Sequence, residues 1–435
     1  MRTHMFELER PQTYALRVAK GKGRGLLSET SIKMSEIAAL AASNISPHKS
    51  QVPIADQAVI EQTIHTGQAI ALLRAGSLVV LSLEGRLCRV RPLDLMTDPN
   101  CAFWHDGVHR LALTSTRVRQ IGIEPATQSA TNADFAETVE VINLTSAMSR
   151  TTIRSFGDPM IAPFIAKRPG HQRLCTQAGD RLDRAGIELC KLAGLLPAAI
   201  MTPLTGKVPA NANIIDVETV ETYRTEQAAT LEPLGEARVP LEITDDARIV
   251  PFRPQDGRME HLAILIGEPE KAEAPLCRIH SECFTGDLLG SLRCDCGEQL
   301  KGAIAAMAAD GHGVLLYLAQ EGRGIGLANK LRAYQLQDRG LDTVEANQHL
   351  GFEPDERDFL SAATMLKKLG ITKVRLMSNN PNKIEGLSGN GVEVLERVAH
   401  EFAANDHNRD YLRTKKVKSG HMLELQDQPS TGTDD

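Results

Sequence analysis

Three features that would place the chain in a broad class are missing: an excess of basic residues, a long apolar run and a leader-like N-terminus. The 49 Lys and Arg against 55 Asp and Glu give a formal net charge of −6, which argues against a general nucleic-acid-binding surface. The best apolar run, residues 70–83, is short and interrupted by Arg74 and Gly76, so we expect no membrane span. The first residues, MRTHMFELERP, contain no apolar stretch suited to a signal peptide. These absences predict a cytoplasmic protein.

A disulfide framework is missing as well. The chain has 8 cysteines, which stand singly apart from one cluster, and this scatter favours a reducing interior. A length of 435 residues is enough for two or three domains, each able to bury a core of its own.

One stretch, residues 277–299, concentrates the chemically active side chains. It holds Cys283, Cys294 and Cys296 in a Cys-x10-Cys-x-Cys pattern amid several charged residues. Three thiolates can bind one zinc ion tetrahedrally and leave a fourth position for water, which is the arrangement of a catalytic zinc site. Zinc-bound water loses a proton near neutral pH and becomes a strong nucleophile. The cluster therefore predicts zinc-assisted hydrolysis.

Three other interpretations of this cluster are open at the level of the sequence. Free cysteines are often small buried residues, although three so close together beside charged side chains are unusual in that role. His280 is a candidate fourth ligand, which would close the site around a structural zinc. The triplet His280-Ser281-Glu282 also fits the first half of the nucleobase deaminase signature. The later cysteine pair, however, is Cys-x-Cys without a preceding proline, and it comes too early for that family.

Alternating helix and strand signals fill residues 51–205. AVIEQTIHTGQAIALLRAG has helical apolar spacing and ends at Gly76, SLVVLSL and ETVEVINL are typical of strands, and GIELCKLAG predicts a helix that ends at Gly194. Together with the Arg-Pro-Gly-His quartet at 168–171, these segments resemble 3,4-dihydroxy-2-butanone-4-phosphate synthase. The resemblance implies a synthase-like α/β domain.

The departures from that family fall where its chemistry lies. The family carries an acidic run that helps to bind magnesium, and here the run reads SLEGRL, with Leu87 in the place of the metal-binding carboxylate. The family's partner histidine is matched by Leu182 in the segment RLDR. Magnesium prefers hard oxygen ligands, which leucine does not supply. We therefore expect a degenerate, catalytically inactive synthase-like domain, left with a role in dimerisation, support or regulation.

The remaining segments complete the predicted domain organisation. Residues 1–50 are a predicted N-terminal extension, and the proline-rich and charged residues 206–257 are a predicted linker that includes the first edge of the next domain. The polar, acidic residues 421–435 predict a disordered tail. The second domain is expected at 258–420, and the fold class is therefore mixed α/β with two domains.

The second domain repeats the alternation of strands and helices. HLAILIGEP and LCRIHSE predict strands, GEQLKGAIAAMAADG a helix that stops at Gly311, HGVLLYLA a buried strand and LANKLRAYQLQ a helix. Between the last two, QEGRGIG forms a glycine-rich turn that can present backbone N–H groups to a phosphate. Arg323 in this turn favours that interpretation because guanidinium matches phosphate geometry. The later charge run at 355–358 is typical of a solvated face.

Five motifs in this order closely resemble GTP cyclohydrolase II: RIHSEC, SLRCDCG, QEGRGIG, LRAY and GFxxDxRDF. The resemblance implies hydrolysis of GTP to a diaminopyrimidine ribosylamine phosphate with release of formate and pyrophosphate, the first committed step toward riboflavin. It also implies zinc as the cofactor, magnesium bound with the GTP triphosphate, and a homodimer.

The same resemblance assigns roles to individual residues. The implied zinc ligands are Cys283, Cys294 and Cys296. Asp355 is the implied proton acceptor, Arg357 the implied nucleophile or phosphate-directed residue, and Tyr334 the tyrosine associated with ring opening. The implied residues of the GTP site are Arg278, Ile279, His280, Ser281, Glu282, Gln299, Glu321, Gly322, Arg323, Thr343, Ser378 and Lys383. Ser378 stands where the family usually has threonine, and because serine keeps the hydroxyl we expect little loss.

Two further hypotheses concern the whole protein. A bifunctional enzyme that also makes 3,4-dihydroxy-2-butanone 4-phosphate is disfavoured by Leu87 and Leu182. A non-catalytic purine-nucleotide sensor stabilised by zinc is disfavoured by the presence of Asp355, Arg357 and Tyr334. The same ring-opening reaction can also serve a pathway other than riboflavin synthesis, and the motifs do not distinguish the two.

Overall fold

The computed structural model describes residues 56–96, 108–126, 138–161, 175–402 and 408. The predicted extension at 1–50, the predicted tail at 421–435 and the quartet at 168–171 lie outside these ranges. All described residues belong to one compact unit. None of the described helices is long and apolar enough to cross a membrane.

The first sheet is built by the front half of the chain, defined here as the described residues between 56 and 229. Its strands are β1 Val79–Leu83, β2 Arg86–Pro92, β3 Arg110–Thr114, β4 Val139–Asn143, β5 Gln177–Ala178, β6 Ala198–Leu204 and β7 Asn213–Asp216. Their spatial order is β5-β4-β3-β6-β2-β1-β7, and the β1–β7 pair is parallel whereas the other neighbours are antiparallel. Strands β1 and β4 confirm the two strands predicted in this region.

The front half also contributes α1 Gln57–Arg74, α2 Ser115–Gln120, α3 Arg150–Gly157, α4 Arg181–Leu192 and α5 Val217–Ala229. Helices α1 and α4 confirm the predicted helices. Gly76 and Gly194 follow them with φ of 79° and 68°, a left-handed conformation that glycine adopts readily after a helix.

Both faces of the first sheet are buried. Along β3, Ala112 joins a core that also contains Leu73 of α1 and Leu189 of α4. Its neighbour Leu111 joins a second core, which contains Phe156 of α3. Successive residues of a strand point to opposite faces, so the helices of the front half cover the sheet on two sides.

The second sheet is built by the rear half, residues 230–402. Its strands are β8 Glu232–Pro233, β9 Ala237–Arg238, β10 Ala247–Arg253, β11 His261–Ile266, β12 Leu276–Ser281, β13 Gly313–Leu318, β14 Lys373–Met377 and β15 Glu393–Val398. The order is β15-β14-β12-β13-β11-β10-β8, and β9 pairs with β10. The helices are α6 Cys296–Asp310, α7 Leu327–Gln337, α8 Thr343–Leu350, α9 Leu360–Lys368 and α10 Pro381–Ser388. Two sheets packed against helices confirm the mixed α/β class.

One edge of the second sheet positions the chemically active residues. Strands β12 and β13 are parallel neighbours, with Ser281 opposite Leu318. The carboxyl ends of parallel strands meet at one edge of a sheet, which is where ligands bind in open α/β sheets. The chain after β12 leads to Glu282 and Cys283, and the chain after β13 leads to the glycine-rich turn. The backbone N–H of Glu282 donates to the carbonyl of Leu318 at 2.8 Å, so the two segments lie side by side.

The segment 206–257 differs from the predicted linker because it contains regular structure. It holds β7 and α5 of the front half and β8 to β10 of the rear half. Its prolines and charges favoured a linker, but Val217, Val220 and Tyr223 of α5 are buried in the core of the front half. Strand β10 agrees with the predicted first edge of the next domain, and its residues Ala247, Val250 and Phe252 are buried in the second sheet. Pro251 is tolerated because β8 pairs with Phe252 and Arg253 and β9 pairs with Arg248 and Ile249, so neither short edge strand pairs with the proline.

Candidate active site

The three cysteines of the cluster converge at the carboxyl edge of the second sheet. Cys283 follows β12, Cys294 ends the intervening loop, and Cys296 begins α6. Their sulfur atoms all lie within 4.8 Å of one another, and Cys283 Sγ is 3.7 Å from Cys294 Sγ. Zinc–sulfur bonds of about 2.3 Å in a tetrahedron place two sulfurs about 3.8 Å apart. The donor set and its spacing therefore fit a zinc ion.

Two glycines allow this close approach. A Cβ atom on Gly286 would lie 2.8 Å from Cys294 Sγ and 3.0 Å from Cys283 Sγ, and one on Gly297 would lie 2.5 Å from the carbonyl oxygen of Gly286. The Gly286 N–H also donates to Cys283 Sγ at 3.3 Å. Both positions therefore need glycine for the three thiols to converge.

Gly286→Ala is expected to lower the zinc content of the purified protein, because the added methyl group occupies the space between two ligand sulfurs. The matched control is Gly290→Ala in the same loop, where a Cβ meets nothing within 4 Å and only the positive φ of 63° is strained. Zinc per chain, measured by atomic emission, checks the result. Equal zinc content in both variants would show that the space at Gly286 is not needed for zinc binding.

The pKa values of the three thiols are shifted in different directions. Hydrogen bonds from the Cys294 and Cys296 thiols, and then from the Lys330 ammonium, lower the pKa of Cys283. Hydrogen bonds to Cys283 raise the pKa of Cys294 and Cys296, and burial and the neighbouring thiolate charge raise both further. A bound dication removes this penalty, and ligation then releases the protons.

His280 is not placed as a fourth ligand. Its Nε2 lies 3.1 Å from both carboxylate oxygens of Asp287, and Asp287 also accepts from Tyr317 Oη and from the Cys283 N–H, both at 3.0 Å. Burial lowers the pKa of His280. Within the described ranges, the three cysteines form the only group suited to hold a metal ion. The closed, structural zinc site that the sequence left open is therefore disfavoured.

Two buried cations form the floor of the pocket. Arg278, which is 5% exposed, donates to the Met377 carbonyl at 2.9 Å and to the side chain of Gln299. Lys383 donates to the carbonyl of Ile279 at 2.7 Å. Burial lowers the pKa of Arg278 to about 10, which still leaves it charged at neutral pH.

A lysine that the sequence analysis did not select links the thiols to the glycine-rich turn. Lys330 Nζ lies 3.0 Å from Cys283 Sγ, 3.0 Å from Thr285 Oγ1 and 2.8 Å from Glu321 Oε1. Tyr334 is one turn further along α7 on the same face, and burial raises the pKa of its hydroxyl to about 12. The spacing of four residues between Lys330 and Tyr334 was the signal available in the sequence.

The glycine-rich turn adopts a strained conformation. Gly322 and Arg323 have φ of 65° and 62°, and a left-handed conformation is uncommon for a residue with a side chain. Arg323 Nη1 donates to the Pro354 carbonyl at 3.2 Å, and its own carbonyl accepts from the Glu356 N–H at 3.0 Å. The turn is therefore fastened to the segment that carries Asp355 and Arg357.

Asp355 and Arg357 form an ion pair, with Arg357 Nε 2.7 Å from Asp355 Oδ1. Burial alone would raise the pKa of Asp355, but hydrogen bonds and charge from Arg357, together with Arg323, lower it. The side chains of Asp355 and Arg357 are only 22% and 11% exposed. The charge run is thus a partly buried part of the site and not the solvated face that its composition indicated.

The pKa of Glu282 is shifted upward, whereas that of Asp355 is shifted downward. Burial raises the pKa of Glu282, and the neighbouring Glu321 and Asp287 carboxylates raise it further. A carboxyl group in this environment holds a proton more readily than an exposed one. Glu282 and Asp355 therefore differ in their readiness to give up a proton, although both belong to the same site.

The structure brings almost all of the predicted site residues to one pocket. Its lining includes the three cysteines and the predicted residues Arg278, His280, Ser281, Glu282, Gln299, Glu321, Gly322, Arg323, Tyr334, Thr343, Arg357, Ser378 and Lys383. Ile279 and Asp355 are not in the lining: Ile279 is fully buried and contributes its carbonyl to Lys383, and Asp355 is paired with Arg357. Lining residues that the sequence analysis did not select are Asp295, Ile325, Lys330, Ala333, Gln337, Asn347, Asn379, Asn380 and His400.

Comparison with known proteins agrees with this geometry. The family model of GTP cyclohydrolase II matches residues 232–399, the span from the first to the last strand of the second sheet. GTP cyclohydrolase-2 of Azospirillum brasilense is 50% identical over 66% of this chain and 76% of that protein. Riboflavin biosynthesis protein RibBA of Parabacteroides distasonis is 41% identical over 62% of this chain and 72% of that protein. GTP cyclohydrolase-2 of Xylella fastidiosa is 37% identical over 83% of this chain and 88% of that protein. The chain belongs to the GTP cyclohydrolase II family.

Proposed function

We propose that this chain is a zinc-dependent GTP cyclohydrolase II that opens the purine ring of GTP and releases formate and pyrophosphate, as the first step of riboflavin biosynthesis. The observation that carries the proposal is the pairing of two features in one pocket. Three thiols whose sulfur atoms lie within 4.8 Å of one another face a cavity lined by five cationic side chains, Arg278, Arg323, Lys330, Arg357 and Lys383. The first feature suits hydrolysis and the second suits a triphosphate.

The thiols of Cys283, Cys294 and Cys296 would hold zinc, and zinc in such a site supplies an activated water for attack on carbon 8 of the purine. The Lys330 ammonium offsets the excess negative charge of three thiolates. Because Lys330 also binds Glu321, it fixes the glycine-rich turn relative to the thiols. Magnesium, which prefers hard oxygen ligands, would accompany the triphosphate.

Arg357 and Asp355 are proposed to act in sequence. Arg357 reaches the pocket and can turn its guanidinium toward a phosphate oxygen. Its departure would free the Asp355 carboxylate, whose pKa then rises because the burial remains and the cation is gone. Asp355 would thereby become a better proton acceptor only when the substrate is bound. Tyr334, with its high pKa, stays protonated at neutral pH and can donate a hydrogen bond during ring opening.

The test is to incubate the zinc-loaded protein with GTP and magnesium, and to measure formate, pyrophosphate and the pyrimidine product together. Equal amounts of all three are the expected result. GTP binding without formate would overturn the proposal in favour of a non-catalytic nucleotide sensor. A homodimer and a cytoplasmic location stay predictions from the family resemblance and the sequence, and sedimentation of the purified protein tests the first.

The front half is expected to lack synthase activity. Leu182 is buried, and Asp183, the carboxylate beside it, is 1% exposed and bonded to Arg110 Nε at 2.8 Å. Because the Asp183 carboxylate is already paired with Arg110, it is not available to bind a magnesium ion. Incubation with ribulose 5-phosphate and magnesium should therefore give no butanone phosphate in a preparation that releases formate from GTP. Product formation would instead support the bifunctional hypothesis.

A further inference from the structure

We propose that the front half serves as a brace for the nucleotide site, holding two helices and one loop of the pocket wall in position. The inference rests on the proposed function, and it concerns side chains that do not line the pocket themselves. Three separate contacts carry it, each between a front-half residue and an element that presents pocket residues. They involve Asp94, Arg117 and Lys191.

The first contact fixes α7. Asp94 Oδ1 accepts from Arg332 Nη2 at 2.7 Å, and Asp94 Oδ2 accepts from Arg332 Nη1 at 2.9 Å. Lys330 and Tyr334 lie two positions to either side of Arg332, and residues two apart on a helix are turned about 200° from one another. Arg332 therefore faces the front half while Lys330 and Tyr334 face the pocket. The bidentate pair restrains the rotation of the helix about its axis.

Neighbouring groups reinforce this contact. Asn329, which is fully buried, donates to the carbonyl of Gly194 in the front half at 3.1 Å and accepts from Arg332 at 2.8 Å. Leu196 of the front half is also fully buried, in a core that otherwise includes Leu336 of α7 and Leu350 of α8. Two front-half side chains, Leu196 and the partly buried Met160, thus pack against this core of the two helices.

The second contact fixes α8, which brings Thr343 to the pocket. Arg117, only 1% exposed, donates to the carbonyl of Phe156 in the front half at 2.7 Å and to that of His349 in α8 at 2.7 Å. The carbonyls of the last helical turn lack partners within the helix, and a cation there is favourable. Thr114 Oγ1 adds a hydrogen bond of 2.8 Å to the Gly351 carbonyl.

The third contact fixes the loop with the proposed catalytic pair. Lys191 of α4 lies 2.7 Å from Glu356 Oε1, and both side chains are nearly buried, at 12% and 11% exposure. Glu356 is the residue between Asp355 and Arg357. Its N–H also binds the carbonyl of Arg323. Lys191 therefore restrains the catalytic pair and the glycine-rich turn together.

These residues are positioning residues, because they act through α7, α8 and the loop. Displacement of catalytic groups by about 1 Å can cost about 100-fold in rate, so loss of a brace contact should reduce turnover more than it reduces stability. If the front half only stabilised the fold, the same substitutions would lower stability and leave the turnover of the folded protein unchanged. Turnover and stability must therefore be measured on the same full-length variants.

The test uses Asp94→Ala, Arg332→Ala, the double variant and Lys191→Met. We expect kcat for formate release to fall about 10- to 100-fold, with unchanged zinc content and a protein that stays folded at the assay temperature. The double variant should lose no more kcat than the less active of the two single variants, because all three variants remove the same contact between Asp94 and Arg332. Arg181→Ala is the matched control: it breaks an exposed ion pair with Glu221 within the front half and should leave kcat unchanged.

Hydrogen exchange separates failure of this inference from failure of the proposed function. In Asp94→Ala, amide exchange in α7 and α8 should rise relative to the rest of the rear half, whether or not the wild type releases formate. Wild-type exchange in both helices would overturn the brace. A wild-type kcat in the Asp94, Arg332 and Lys191 variants would also overturn it. The same holds if their loss of kcat is fully accounted for by loss of folded protein or of zinc. Wild-type protein that releases no formate, with faster exchange in the variant, would overturn the catalytic proposal alone.

Discussion

Cys294→Ser is expected to remove zinc from the protein and to abolish formate release from GTP. Serine is a poor zinc ligand beside two thiolates, and the remaining pair offers too few protein ligands for a stable catalytic site. Cys294 Sγ lies 3.7 Å from Cys283 Sγ, so the substitution breaks the tetrahedral set directly. Zinc per chain and formate release, measured on the same preparation, check the result.

The matched control is Cys175→Ser, because Cys175 is exposed and does not belong to the thiol cluster. It should keep about one zinc ion per chain, as expected for a single three-cysteine site, and full activity. Activity retained by Cys294→Ser without bound zinc would refute zinc-assisted hydrolysis. Retained zinc with lost activity would instead point to a role for the Cys294 thiolate in setting the reactivity of the metal.

The convergence of the three cysteines could be predicted from the sequence because their spacing is local. Two of the three, Cys294 and Cys296, are two residues apart, and Cys283 is brought back by one short loop. The spacing alone did not explain why the loop closes. The loop can close because Gly286 and Gly297 have no side chain. That a side chain would not fit at either position is evident only when the positions of the surrounding atoms are known.

Other parts of the site depend on contacts that are distant in the chain. Asp94 and Arg332 are separated by 238 positions, and no periodicity links them. The charge run at 355–358 indicated a solvated face because composition carries no information on burial. Its enclosure results from Arg323 and Lys191, which come from a different loop and from the front half. The same reasoning applies to residues 206–229, where composition favoured a linker but Val217 and Tyr223 are buried in the core of the front half.

Arg357→Met is expected to lower kcat by about 100- to 1,000-fold, the range seen when one preorganised group that stabilises the transition state is removed. Arg357 lies in the pocket lining and binds Asp355 but none of the three cysteines, so zinc content should be unchanged. This separates the variant from Cys294→Ser. Equal zinc with greatly reduced formate and pyrophosphate is the expected pattern.

The same variant should change the pH dependence of the reaction. A proton acceptor must be ionised, so activity that depends on Asp355 is lost as the pH falls through its pKa. Arg357 lowers that pKa against the effect of burial, and removal of the cation lets burial raise it. The acid limb of the kcat/KM profile of Arg357→Met should therefore lie at higher pH than that of the wild type.

Arg357→Lys provides the matched control, because lysine keeps the positive charge but loses the planar, bidentate geometry. Its acid limb should stay closer to that of the wild type even if kcat falls. Asp355→Asn should remove the limb that this carboxylate sets. An acid limb at the same pH in the wild type and in Arg357→Met would show that Asp355 is not the group that titrates, and Glu282, whose pKa is raised, would become the next candidate.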